Sequence, residues 1–114
     1  MCIIIKKIKD IEFIAAHGGE GRKRELITNK DIQNPHFDIL NKDYLLKNKF
    51  FDWHKHEGSD EICIVVEGSG NIRYIDENHI KSFEKNDVIL INSGEMHKIE
   101  AKENSIFYFI RIKL

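Results

Sequence analysis

Two histidines one residue apart, His54 and His56, stand in the stretch WHKHEGSDE, and the carboxylate of Glu61 follows five positions later. Alternate side chains of an extended strand share a face and lie about 6.6–7 Å apart along it, so two imidazoles can converge on one ion. Lys55 then points the other way. A turn over Glu57 to Asp60, for which Gly58 and Ser59 are suited, returns Glu61 to the same place. His97 follows the turn Asn92-Ser93-Gly94 and is the candidate for a third nitrogen. Three nitrogens and one carboxylate leave an octahedral divalent ion two open positions for substrate or oxygen. A lone pair of histidines is an ordinary surface feature. The carboxylate at turn-return spacing makes a metal site the competing reading.

Elements of the right kind surround these residues. Turn signals rich in Gly, Asn, Asp and Ser recur every eight to twelve residues, and between them lie short runs such as EICIVV, NIRYI, DVILI and SIFYFIRIKL. That rhythm predicts an all-β sandwich or barrel. Only Asp38 to Leu46 leaves room for a short helical turn. EICIVV and VILI are apolar at successive positions, so both faces of those strands are expected to be covered, the outer one by a second sheet or a partner subunit.

Composition bounds the function. The 114 residues suffice for one domain, 1–114, with one core. Charged residues make up 32% and nearly cancel to a net −1, with arginines and lysines scattered, so no nucleic-acid partner is expected. No stretch approaches the roughly 20 apolar residues of a membrane span, and the opening MCIIIKKIKD does not read as a secretory signal. Cys2 and Cys63 are too few for a disulfide framework, which points to reduced thiols and a cytoplasmic location. The glycine-rich HGGEG, with His17 in it, reads as turn chemistry, and His36 and His79 carry no role.

The chain resembles the cupins, small jelly-roll barrels marked by the motifs G-x5-H-x-H-x3-4-E-x6-G and G-x5-P-x-G-x2-H-x3-N. The first is met at His54, His56, Glu61 and Gly68, over about 48–68, and the second at Gly94 and His97, over about 86–101. Asn48 and Asn86 stand where each motif opens with glycine, and asparagine tolerates the left-handed backbone that glycine would adopt. Asn92 replaces the proline and Ala101 the final asparagine, neither a ligand. The resemblance implies a jelly-roll barrel of two antiparallel sheets in which His54, His56, Glu61 and His97 hold one divalent ion: Fe, Mn, Ni or Zn. By parity with these residues, Phe50, Asp52, Cys63, Val65 and Ile99 are expected to line a mostly apolar substrate pocket. For Cys63 the expected role is a small buried hydrophobe. Asp52, Tyr74 and Tyr108 are the candidates for an acid or base. The family spans dioxygenases, isomerases, lyases and non-catalytic binders, and fold does not choose among them. The expectation is a metal-dependent enzyme acting on a small polar metabolite. The alternative is a binding or sensing module that holds a small ligand without turnover. A metal-free epimerase conflicts with four intact ligands. Small cupins are commonly dimers, so a homodimer is expected.

Overall fold

Residues Phe37–Leu45 form a nine-residue strand, not the helical turn expected over Asp38 to Leu46. Asn41, Asp43 and Leu45 are buried on its inner face, with Lys42 and Tyr44 alternating between them. Two polar residues on the buried face mask the alternation. Leu40 and Tyr44, four apart, imitate a helical stripe instead.

The computed structural model describes residues 3–16 and 19–114; Cys2 and His17 lie outside the described residues. A single 3-10 turn at Ile8–Asp10 precedes the strands. In chain order these are β1 (Ile14–Ala15), β2 (Arg22–Thr28), β3 (Phe37–Leu45), β4 (Phe50–His54), β5 (Ser59–Glu67), β6 (Ser69–Tyr74), β7 (Ile80–Glu84), β8 (Val88–Ile91), β9 (His97–Ala101) and β10 (Ser105–Lys113). They pair into a six-stranded sheet, β1-β2-β3-β10-β5-β8, and a four-stranded sheet, β4-β9-β6-β7. Neighbours are antiparallel throughout. This is the jelly roll of two antiparallel sheets expected from the sequence.

The inner faces of the two sheets enclose the core. Phe51, Phe107 and Phe109 pack at ring separations of 5.7–6.3 Å, with Cys63, Val65 and Ile99 against them. The two motif-opening asparagines take the left-handed conformation, with φ of 67° at Asn48 and 74° at Asn86.

Candidate metal centre

The strands bring three histidines to one end of this core. Phe51 pairs with Ile99 and His54 with His97, so three steps along β4 match two along β9. The extra residue is a β-bulge, and it shifts the inward parity of the strand by one. Phe51 and His54 therefore share the inner face of the sheet with Ile99 and His97. His56 lies just past the strand end, where Gly94 N–H donates to its carbonyl at 2.8 Å. Across the same junction Gly58 N–H donates to Ser93 Oγ at 2.9 Å, and Ser93 N–H donates to Asp60 Oδ1 at 2.9 Å. The two motif turns are thus laced together beside the histidines. Asp60 serves the turn, and Glu57 is exposed and paired with Lys55.

One ring nitrogen from each of His54, His56 and His97 lies within 4.8 Å of the other two. Glu61, buried on β5, places Oε2 at 3.3 Å from His56 Nε2. His54 Nδ1 lies 2.6 Å from the Asp52 carbonyl and His97 Nδ1 2.9 Å from the Glu95 carbonyl. A carbonyl can only accept, so each Nδ1 carries the proton and each Nε2 presents a lone pair. Burial lowers the pKa of all three rings, His56 to about 3 and His97 to about 4, with the Arg111 guanidinium adding to the effect on His56. The imidazoles are therefore neutral near pH 7, the form that binds metals. Burial raises Glu61, and Arg111, whose Nη2 lies 3.4 Å from Oε2, opposes that rise. Glu61 Oε1 and His97 Nε2 are buried with no hydrogen-bond partner among the described residues. Two buried acceptors without a donor, set beside two further imidazoles, suit a cation. The donor set fits a divalent metal.

A family model described as a cupin domain matches residues 45–112. The chain belongs to the cupin family. Among curated proteins, this cupin is 32% identical over 62 residues to a germin-like protein of Morus alba, a match that covers 51% of this chain and 30% of that protein. Among solved structures it is similar to a predicted oxalate decarboxylase of Thermotoga maritima, with TM-score 0.83 and 24% identity over 97% of this chain and 100% of that one. Ectoine synthase from P. lautus matches with TM-score 0.80 and 17% identity, over 97% and 78% of the two chains. Oxalate decarboxylase of Bacillus subtilis, which has Mn(II) centres, matches with TM-score 0.72 and 20% identity, over 93% of this chain and 28% of that one. These structural likenesses show the shared fold.

The residues expected to line the cupin's pocket are placed differently. Phe50 and Asp52 do not face the interior, because the bulge after Phe51 reverses the parity on which that expectation rested. Asp52 is exposed, and the half-buried Phe50 ring has Lys98 Nζ 4.7 Å from its centroid. Cys63, Val65 and Ile99 are fully buried, but as members of the packed core. Burial pushes the Cys63 thiol well up, consistent with an inert hydrophobe. Tyr108 pairs with the exposed Ile64 and lies on the outer face of its sheet. The cavity that does reach His97, of about 250 Å³, is lined by Ile72, Tyr74, Lys81, Ile89 and Ile91. A larger one of about 440 Å³ lies between the N-terminal segment and β2–β3, among Ile4, Ile8, Leu26 and Leu40, remote from the histidines in the fold. Its lining is mostly apolar, and its one charged pair, Lys6 and Asp31, is closed on itself at 2.7 Å. The sequence reading missed Arg111, which pairs with Glu61 across β10 and β5.

Proposed function

We propose that this cupin binds one divalent ion, Fe, Mn, Ni or Zn, through His54, His56, His97 and Glu61. On this reading it is a metal-dependent enzyme of dioxygenase, isomerase or lyase type, acting on a small polar metabolite. The observation that carries the reading is the convergence of three imidazole nitrogens within 4.8 Å. When bound, a divalent ion supplies Lewis acidity toward ligand oxygens. The chain's own part is orientation. The Asp52 and Glu95 carbonyls hold His54 and His97, and Arg111 holds Glu61. A ligand suited to such a site is small and offers oxygens, as an α-keto, enediol or carboxylate group does. The unit proposed is a single domain, a homodimer and cytoplasmic.

A binding or sensing module is the second reading, favoured by one observation: of the three acid–base candidates, Asp52 is exposed and Tyr108 lies on the outer face of its sheet. Metal analysis tests the shared part. Protein loaded with Mn(II), Fe(II), Ni(II) or Zn(II) should retain close to one ion per chain, and His97→Ala should lose most of it. Equal content in wild type, His97→Ala and His54→Ala/His56→Ala refutes the site. Incubating the loaded protein with a metabolite extract, with and without oxygen, separates the two readings. Consumption of a metabolite marks the enzyme, and unchanged pools across all four metals mark the binder.

A further inference from the structure

The barrel has an open side. β8 ends the six-stranded sheet and β7 ends the four-stranded one, and the two edge strands share no ladder. The cavity of about 250 Å³ that reaches His97 lies at this seam. Register fixes which side chains point into it. Tyr74 on β6 is the direct partner of His97 on β9, so phenol and imidazole share a face. Ile72 is flanked by Ile99 on one side and Lys81 on the other, which aims the Lys81 stem inward at the sheet edge. Ile89 and Ile91 close the wall from β8.

The charges in this cavity differ in how they are engaged. Lys81 makes no ion pair among the described residues; its Nζ lies 5.5 Å from the Tyr74 ring centroid. Glu95 also lines the cavity, but its Oε2 accepts the Asn92 N–H at 3.3 Å and closes the turn that precedes His97. The free cation therefore stands at the outer end, a histidine at the inner end, and isoleucines between.

We propose that the seam between β7 and β8 is the ligand entry of the site, with Lys81 and Tyr74 as its specificity-determining residues, and that the ligand is a small molecule bearing a carboxylate at its outer end. Its inner end meets the histidine cluster, so the assignment rests on the reading of that cluster as the metal centre. The outer carboxylate pairs with the Lys81 ammonium, and Tyr74, which lines the same cavity, supplies a hydroxyl to donate a hydrogen bond. A short carbon chain packs on Ile72, Ile89 and Ile91.

Succinate and butyrate are suitable probes, equal in chain length and differing by one carboxylate. Affinities by calorimetry are compared for wild type, Lys81→Met, Lys81→Arg and Tyr74→Phe, each Mn(II)-loaded and metal-stripped. Succinate should bind the loaded wild type more tightly than butyrate does. Lys81→Met should weaken succinate about tenfold or more, the scale of a lost charge-assisted hydrogen bond, and leave butyrate and metal content unchanged. Lys81→Arg should keep most of the affinity, and Tyr74→Phe should lose severalfold. Equal succinate affinity in wild type and Lys81→Met, or no succinate binding by either form of the wild type, overturns the proposal. If succinate binding depends on Lys81 equally in loaded and stripped protein, the seam assignment stands and the metal reading fails.

Discussion

Asp43 is fully buried on the inner face of β3, and neither carboxylate oxygen has a hydrogen-bond partner among the described residues. Burial pushes its carboxyl up to about 7, with Lys23 opposing the rise and Glu61 adding to it. An unfolded chain releases this proton near the ordinary aspartate value of 3.8, so between those two values the folded state binds a proton that the unfolded state lacks. Stability from this group is therefore fully present below the unfolded value and falls as pH rises toward 7. Asp43→Asn keeps the shape and removes the titration. Urea denaturation at pH 4.5 and pH 7.5 should show the wild type losing about 2 kcal/mol more than the variant, a discount on the ~1.4 kcal/mol per pH unit that linkage allows. The imidazoles of His54, His56 and His97 are common to both proteins and cancel in the comparison. Parallel stability curves would show that Asp43 is already ionised in the fold. The burial of Asp43 was not legible in the sequence, since residue type alone does not reveal which charges are enclosed. His54, His56, Glu61 and His97 were legible for the opposite reason: their spacing brings together groups that have little other cause to meet.

The turns that open the two motifs were readable as well, because only a few residue types accept a left-handed backbone. Asn86 at φ 74° sits between β7 and β8, its N–H donating to the Val65 carbonyl at 2.8 Å while Val65 N–H donates to the Asp87 carbonyl at 2.9 Å. This turn fixes the start of β8, and with it one wall of the seam beside His97. Asn86→Gly should leave stability within about 0.5 kcal/mol of wild type, since glycine takes positive φ without steric cost. Asn86→Ala should cost roughly 1–2 kcal/mol, as Cβ then crowds the following carbonyl. Thermal or urea unfolding measures both; an alanine variant as stable as the glycine one would show that the turn relaxes out of the left-handed region. The bulge in β4 was not legible. One extra residue between Phe51 and His54 leaves composition and motif spacing unchanged, yet it reverses every inside–outside assignment made by counting in twos. Phe50 and Asp52 were misplaced on that account. The helical turn expected over Asp38 to Leu46 failed because Asn41 and Asp43 occupy inward positions where an alternation test expects apolar residues.

The whole chain presents more apolar surface than one barrel can bury. On the outer face of the six-stranded sheet, register aligns Leu90, Ile62, Ile110 and Leu40 across β8, β5, β10 and β3, and a parallel row runs Val88, Ile64 and Tyr108 to Lys42. Val88 and Leu90 are 66% and 61% exposed, so nothing among the described residues covers the β8 end of these rows. The neighbouring rows form a continuous strip rather than scattered residues, and strips of that kind are usually interfaces. A self-complementary face closes most simply as a two-fold dimer, which needs about 800 Å² from each partner. We expect a dimer mass by light scattering or sedimentation across the micromolar range, with Ile64→Lys/Leu90→Lys shifting it to a monomer while metal content stays near one ion per chain. The exposed Ile3, Ile4 and Ile5 ahead of the first strand offer a competing surface. A dimer that survives Ile64→Lys/Leu90→Lys but dissociates in Ile4→Lys would move the interface to that arm, and a wild-type monomer would refute the assembly outright. The strip's edge at Leu90 borders the cavity that reaches His97. Dimerisation through this face would therefore narrow the seam from outside, and succinate affinity measured above and below the dissociation concentration would change with it.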